Sequence, residues 1–210
     1  MSRRTNVYID GFNLFYGALK GSRYKWLDLE ALCHHLLPKD AIHRVRYFTA
    51  KVSARPGDPR LPVRQQTYLG ALATLPKVSV HLGVFYVSTV RAPLAHPPAR
   101  GPRMAEIIKT EEKGSDVALA TYLMLDACRG DCDTAVVVTN DSDLREPLRL
   151  VREELGLTTG VINPHPARRR SRALQATFFK QLRPGALAAS QFPQHLTSRS
   201  GRKITKPAEW

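Results

Sequence analysis

The chain has 210 residues, 43% of them hydrophobic, and its 32 Lys and Arg against 18 Asp and Glu give a formal net charge of +14. This length suits one α/β domain with an appendage and is short for two independent cores. No apolar run approaches the roughly 20 residues of a membrane-spanning helix, and the start lacks the apolar segment of a secretory signal, so a cytoplasmic protein that uses no membrane is expected. The charge favours a polyanionic partner, most simply nucleic acid.

Strand-like and helix-like patterns alternate through the first half of the chain. A buried strand is predicted at residues 6–10, and it ends on an aspartate. Asp28 is placed to cap a later helix, which Pro38 stops. The remaining predictions are helices at 12–19, 28–37 and 63–75, strands at 42–52 and 78–87, and a chain break at 56–59.

The second half continues the alternation. The β-branched run at residues 134–139 is typical of a strand covered on both faces, as in a parallel sheet. The other predictions are a proline-rich and arginine-rich loop at 91–103, an edge strand at 104–110, helices at 115–127, 144–155 and 173–182, a strand at 157–162, and no packing pattern at 184–210. We therefore expect a three-layer α/β/α sandwich with a mainly parallel central sheet at 1–164, followed by a basic C-terminal helix and tail at 165–210.

Acidic residues occur where such a sheet would bring them together. Asp10 follows the first strand, Asp116 opens a helix, and Asp141 and Asp143 follow the buried strand. Ligands of open α/β sheets bind beyond the carboxyl ends of the strands. Carboxylates packed closely raise one another's pKa, so they persist most easily around a hard divalent cation, here Mg²⁺ or Mn²⁺. These four aspartates are the candidate catalytic and metal-binding residues.

Each aspartate also has a structural interpretation. Asp116 and Asp143 suit the first turn of a helix, and Asp141 suits a turn. Asp10 closes a buried strand and has little capping duty unless the next helix starts at once. We therefore expect Asp10 to be functional.

Three segments, VYIDGFNLFYG, EKGSDVALA and VVVTNDSDL, resemble in order and spacing the signature blocks of NYN-domain proteins, which belong to the PIN-like nuclease superfamily. The resemblance covers residues 6–164. It implies a PIN-like sheet and metal-dependent RNA cleavage by the four aspartates, with Asn13 supporting Asp10. The family commonly has Ser-Gly-Asp-Ser-Asp-Phe where this chain has TNDSDL, so Asn140 replaces a glycine. Asparagine tolerates left-handed conformations.

Several other side chains are candidate substrate contacts, and each has an alternative. Ser142 suits a phosphate contact or a helix cap, and Lys113 suits the scissile phosphate or neutralisation of neighbouring glutamates. The arginine run suits phosphates, a solvated helix end or a partner-binding arm. The full set of substrate-binding candidates is Asn13, Lys113, Asn140, Ser142, Arg168, Arg169 and Arg170. Phe12, Phe15 and Tyr16 are interpreted as core residues rather than a stacking face for bases.

The sequence thus predicts an endoribonuclease that uses Mg²⁺ or Mn²⁺ and acts on single-stranded or structured RNA. The alternative is an RNA-binding or scaffold protein that keeps the fold without turnover, and a homodimer is left open. A small-molecule phosphoryl-transfer enzyme is disfavoured because the common phosphatase and nucleotide-binding motifs are missing. The three cysteines are expected to be reduced thiols. The alternative is a metal clip, because Cys128 and Cys132 lie four positions apart and His34 and His35 follow Cys33.

Overall fold

The computed structural model describes residues 3–55 and 57–210. The start of the predicted domain, at residues 1–2, and Pro56 of the predicted chain break lie outside the described residues. The sheet strands are β1 (Arg3–Asp10), β2 (Asp40–Ala50), β3 (Val78–Pro93), β4 (Met104–Lys113), β5 (Thr134–Val138), β6 (Thr158–Asn163) and β7 (Phe178–Gln181), and β8 (His195–Thr197) and β9 (Lys203–Thr205) form a separate hairpin. The helices are α1 (Gly11–Leu14), α2 (Leu29–Leu36), α3 (Leu61–Leu72), α4 (Ser115–Cys128), α5 (Arg145–Glu153) and α6 (Pro184–Ala189). A π-helical turn (Phe15–Leu19) continues α1, and 3₁₀ turns lie at Ser142–Leu144 and Ala167–Arg169.

The central sheet has seven strands in the order β4-β3-β2-β1-β5-β6-β7. Every neighbouring pair is parallel except β3 and β4, which are antiparallel. β1 lies in the middle, and its Ile9 pairs with Val138 of β5. The residues that follow β1 and β5 therefore meet at one edge of the sheet, as the sequence predicts. The mainly parallel sheet is confirmed.

Helices cover both faces of this sheet. Along β1, Val7 and Ile9 enter one hydrophobic cluster and Tyr8 enters the other, because successive strand residues point to opposite faces. The first cluster includes side chains of α1, α2, α3 and α6, and the second includes side chains of α4 and α5. The three-layer α/β/α sandwich is confirmed. No helix in the described part of the chain is long and apolar enough to cross a membrane.

A buried ion pair joins three elements on the second face. Arg46 of β2 donates from Nε to Oδ2 of Asp126 at 2.7 Å and from Nη2 to Oδ1 at 2.8 Å. Tyr8 of β1 donates its hydroxyl to the same carboxylate at 2.9 Å, and Tyr122 of α4 lies under the guanidinium at 4.5 Å. The pair therefore links α4 to the two central strands.

The C-terminal part differs from the prediction. The predicted helix at 173–182 is wrong, because Phe178–Gln181 forms β7, parallel to β6. Phe178 packs against one hydrophobic cluster and Phe179 against the other, which suits a strand with both faces covered. The boundary predicted after residue 164 thus falls between two paired strands.

Residues 184–210, which show no packing pattern in the sequence, contain α6 and the β8–β9 hairpin. Leu187 and Phe192 are buried, and Trp210 packs against the same cluster. The predicted loop at 91–103 is shorter than expected, because β3 extends to Pro93. β4 likewise extends beyond its predicted end, to Lys113.

Candidate active site

Asp10 is held at the carboxyl end of β1 with 5% of its surface exposed. Its Oδ1 accepts a hydrogen bond from the backbone N–H of Asn13 at 2.9 Å, and its Oδ2 accepts one from Oγ1 of Thr139 at 3.0 Å. The first of these bonds caps α1. Because α1 begins at the next residue, Asp10 caps it, which is the one case in which the sequence predicts a capping role for this residue. The capping also fixes the orientation of the carboxylate.

Thr139 connects the ends of β1 and β5. Its hydroxyl donates to Asp10 and accepts from the backbone N–H of Asp141 at 3.1 Å. Oδ1 of Asp141 in turn accepts from the backbone N–H of Asp143 at 3.0 Å and caps the 3₁₀ turn. The sequence predictions did not include Thr139. The signal was its position, because the family pattern has a serine there.

Asp116 completes the cluster from the first turn of α4, where its side chain is exposed. Partial burial, followed by the charges of Asp10, Asp141, Glu112 and Asp143, raises the pKa of Asp116 to about 6. We refer to Asp10, Asp116, Asp141 and Asp143 as the acid cluster. The structure thus brings all four predicted aspartates into one electrostatic field.

The carboxylates of the acid cluster repel one another, and burial adds to the cost of their charges. Burial raises the pKa of Asp10, and the charge of Asp141 adds to this, against the lowering effect of its bonds from Asn13 and Thr139. No Lys, Arg or His among residues 3–55 and 57–210 forms an ion pair with any of the four carboxylates. A cation would relieve this repulsion.

The fit of the cluster to Mg²⁺ or Mn²⁺ rests on its donor chemistry. All of its side-chain donors are carboxylate oxygens, which these hard cations prefer. Within the described residues, however, no three His, Cys, Asp or Glu side chains are arranged as a group that could hold a metal ion. The aspartates are therefore electrostatically coupled neighbours rather than a preassembled ligand set.

The three cysteines are free thiols, as predicted, with Cys33 and Cys132 buried and Cys128 exposed. Burial is the largest cause of the raised pKa of Cys33, and it raises that of Cys132 to about 11. A metal clip of cysteine and histidine is not found in the described ranges.

Asn13 and Asn140 tie neighbouring loops to the site. The backbone N–H of Asn140 donates to Oδ1 of Asn13 at 3.0 Å, and Nε2 of His165 lies 3.1 Å from the same oxygen. The side chain of Asn140 donates to the Arg169 carbonyl at 2.8 Å and accepts from the Ser171 N–H at 2.7 Å. No described non-glycine residue has a positive φ. Asparagine in place of glycine therefore anchors the arginine segment instead of supplying a left-handed turn.

The arginine segment, Arg168–Arg170, is exposed beside this anchor. The guanidinium of Arg170 lies 3.9 Å from the centre of the Phe179 ring, a stacked position. The segment is therefore fixed at the same edge of the sheet as the acid cluster. Neither Arg168 nor Arg169 forms an ion pair with an Asp or Glu in the described part of the chain.

Lys113 ends β4 shortly before α4, and Ser142 lies between Asp141 and Asp143 in the 3₁₀ turn. Lys113 is exposed, with Nζ 3.9 Å from Oε2 of Glu111. Glu112 accepts from the backbone and hydroxyl of Ser115, at 3.1 and 2.7 Å, at the start of α4. Ser142 is exposed, and the carboxylate of Asp141 caps the turn in its place. Glu112 is thus a further acidic neighbour of Asp116.

An aromatic cavity of about 440 Å³ is lined in part by α1 and by the π-helical turn that follows it. Its walls include Phe12, Phe15, Tyr16, Tyr47, Tyr68 and Trp210. Tyr16 is 49% exposed, so the interpretation of this residue as core is wrong. Phe12 and Phe15 are partly buried. Gly11, which follows Asp10, also lines the cavity and places it next to the acid cluster.

Asp116→Asn is expected to stabilise the protein by about 1 kcal/mol near pH 7. The raised pKa of Asp116 means that the folded state binds its proton more tightly than the unfolded chain does. The ionised carboxyl is therefore unfavourable for folding, and this cost develops as the pH rises from about 4 to about 6. The figure allows for solvent screening of an exposed group. Urea unfolding of both proteins at about pH 4 and about pH 7 measures the difference.

Asp133→Asn is the control for this prediction. Asp133 pairs with exposed Arg4 and accepts a hydrogen bond from its backbone N–H at 2.9 Å. Asp133→Asn should therefore show no increase in unfolding free energy near neutral pH. An equal gain in both variants would mean that general surface charge, and not the acid cluster, causes the effect.

Comparisons with known proteins agree with this architecture. The family model described as the NYN domain matches residues 4–181. A protein named 6-hydroxy-3-succinoylpyridine 3-monooxygenase HspA, from Pseudomonas putida (strain DSM 28022 / S16), is 35% identical over 239 aligned residues, with 99% of this chain and 75% of that protein covered. A crystal structure of a protein of unknown function, VPA0982 from Vibrio parahaemolyticus, has a TM-score of 0.57 at 13% identity. The match covers 91% of this chain and 97% of that one, and shows a shared fold.

Proposed function

Because the chain belongs to the NYN domain family, we propose that it is a metal-dependent endoribonuclease that hydrolyses RNA phosphodiester bonds at the acid cluster. The observation that carries the proposal is a set of four coupled carboxylates, without a described cationic partner, at the carboxyl ends of adjacent parallel strands. PIN-like nucleases generally require such acidic groups. A protein of +14 net charge can deliver a polyanion to them.

The acid cluster would hold Mg²⁺ or Mn²⁺. A cation bound there would lower the pKa of a water molecule and offset negative charge on the phosphate oxygens. Thr139 and the Asn13 N–H keep Asp10 in one orientation, and the same threonine positions Asp141. Asp116 approaches from α4 on an exposed side, where a substrate phosphate can reach it. Asp143, in the exposed turn, has the least constrained position.

Basic residues around the cluster are proposed to hold the flanking phosphates. The arginine segment is anchored to Asn140, one residue before Asp141, so its guanidinium groups stay near the site. Lys113 is proposed for the opposite flank, near α4. Such contacts position RNA without selecting its sequence.

The test is an incubation of purified protein with labelled single-stranded RNA, structured RNA and single-stranded DNA. We expect internal RNA cleavage with Mg²⁺ or Mn²⁺, loss of cleavage with EDTA, and loss of cleavage in Asp141→Asn. Undiminished cleavage by Asp141→Asn would contradict the proposal. Tight RNA binding without cleavage would favour the non-catalytic RNA-binding alternative.

A second candidate function comes from the relative named as a 3-monooxygenase of 6-hydroxy-3-succinoylpyridine. Its 35% identity extends over 99% of this chain, and the aromatic cavity beside Asp10 has walls suited to a planar ring. In a monooxygenase reaction, one atom of O₂ enters the organic substrate and the other leaves as water, with two electrons from a reductant such as NADH. Incubation with that compound, O₂ and NADH tests it. Oxidation of NADH without a hydroxylated product would reject this function.

A further inference from the structure

We propose that the aromatic cavity beside Asp10 is a binding site for a planar aromatic ring that carries an anionic group. The proposal concerns ligand binding and stands independently of RNA cleavage at the acid cluster. At about 440 Å³ the cavity lies within the usual range for small-molecule sites, about 300–1,000 Å³. It is therefore large enough for a base or a comparable ring.

The inner wall of the cavity offers ring surface whose polar groups are already satisfied. Tyr68 meets Tyr47 and Trp210 in edge-on contacts, with centroid distances of 6.3 and 5.8 Å. The hydroxyl of Tyr68 donates to the carbonyl of Leu27 at 2.9 Å. The amide of Gln65 is also engaged at both ends, with the backbone of β2 and the loop after it. Stacking, rather than new hydrogen bonds, would therefore hold an occupant.

The remaining walls add an exposed ring and positive charge. Tyr16 is 49% exposed, and Nζ of Lys20 lies 5.1 Å from the centre of its ring. Lys20, Lys25 and Arg55 all line the cavity, and no described carboxylate forms an ion pair with them. Asp58, a carboxylate on the wall, is paired with Arg64. An anionic substituent on the ring would meet uncompensated cations.

The cavity is joined to the acid cluster through the start of α1. A Cβ at Gly11 would lie 2.6 Å from the Phe48 carbonyl oxygen and 2.8 Å from the Tyr47 ring and hydroxyl. Tyr47 is thus packed directly against the residue that follows Asp10. Two sources could supply the ring, a nucleotide unit of RNA or a free aromatic acid. The contiguity with the acid cluster is compatible with both, so the experiment separates them.

The test measures binding in EDTA by isothermal titration calorimetry, so that no turnover occurs. The probes are uridine 5′-monophosphate, ribose 5-phosphate, nicotinate and nicotinamide. We expect uridine 5′-monophosphate or nicotinate to bind saturably, with ribose 5-phosphate much weaker because it has no ring. Binding should also change the fluorescence of Trp210, one of two tryptophans, the other being buried Trp26.

Two variants and a control locate the site. Tyr16→Ala should lower the affinity for the ring-containing probes about tenfold, a typical loss for an aromatic stacking contact. Lys20→Gln should lower the affinity for the anionic probes and leave the affinity for nicotinamide unchanged. Tyr86→Ala is the matched control, because Tyr86 is 61% exposed on β3 and does not line the cavity. Thermal melting of each variant checks that the fold is intact.

Tighter binding of uridine 5′-monophosphate than of nicotinate would support the site and assign its ring to nucleic acid. The reverse order would support the site and assign it to a free aromatic acid. Absence of saturable binding, equal binding of ribose 5-phosphate, or equal losses in Tyr16→Ala and Tyr86→Ala would overturn the proposal. RNA cleavage by a protein that fails this test would leave the proposed function intact.

Discussion

Asp10→Asn is expected to lower the rate of RNA cleavage about a thousandfold while leaving the fold intact. Asparagine keeps an oxygen that can accept the Asn13 N–H, so the cap of α1 survives. It removes the negative charge from the most buried carboxylate of the acid cluster. Initial rates of cleavage of a labelled RNA with Mn²⁺, together with a thermal melt, measure both effects.

Asp28→Asn is the matched control for this variant. Asp28 caps α2 as Asp10 caps α1, with its Oδ1 accepting from the Ala31 N–H at 2.9 Å, but it does not belong to the acid cluster. Cleavage by Asp28→Asn should match the wild type. Equal rates in wild type and Asp10→Asn would show that the chemistry does not occur at this cluster.

Asp126→Ala should cost about 3–5 kcal/mol of unfolding free energy, the largest expected effect on stability. The side chains of Asp126 and Arg46 are only 3% and 12% exposed, so removal of the carboxylate leaves a guanidinium with little access to water. The hydroxyl of Tyr8 loses its acceptor as well. Urea unfolding of the wild type and Asp126→Ala at the same pH measures the loss of unfolding free energy.

Glu111→Ala provides the surface counterpart. Glu111 pairs with Lys109 at 2.8 Å, but the two side chains are 40% and 50% exposed, and such pairs contribute at most about 1 kcal/mol. A loss in Asp126→Ala no larger than that in Glu111→Ala would mean that water reaches Arg46 and that the pair is not a structural link.

Much of the fold follows from the sequence because β5 is a continuous run rich in β-branched residues and the apolar part of β1 ends on an aspartate. Residues 134–138 are buried along their whole length, and β1 ends at Asp10 as predicted. The rule that carboxyl ends of parallel strands share one edge then places Asp10 near Asp141. Asp116 reaches the same edge because β4 runs antiparallel to β3 and returns the chain to the start of α4.

The connections within the site could not be predicted in the same way. The bridge through Thr139 depends on the register of β1 against β5, and the anchor from Asn140 to residues 169–171 joins segments about thirty positions apart. Neither contact leaves a local pattern in the sequence. The same holds for the absence of a preassembled ligand set among the described residues, since it depends on side-chain placement.

The C-terminal errors have a related cause. Leu174, Phe178 and Phe179 suit a helical face as well as a strand, and pairing with β6 decides between them. After residue 183, packing relies on single side chains without periodicity. The ring of Trp210 lies 6.3 Å from that of Trp26 and 5.8 Å from that of Tyr68, measured between centroids. These contacts join residues that are far apart in the sequence.

Binding of Mn²⁺ by the wild-type protein, Asp10→Asn and Asp28→Asn, measured by calorimetry without RNA, tests the acid cluster most directly. The aspartates must gather a cation for the proposed chemistry to occur. We predict saturable Mn²⁺ binding by the wild type and Asp28→Asn, and at least a tenfold loss of affinity in Asp10→Asn. Equal Mn²⁺ affinity in all three proteins, or no binding by the wild type, would contradict a metal site at the ends of β1 and β5.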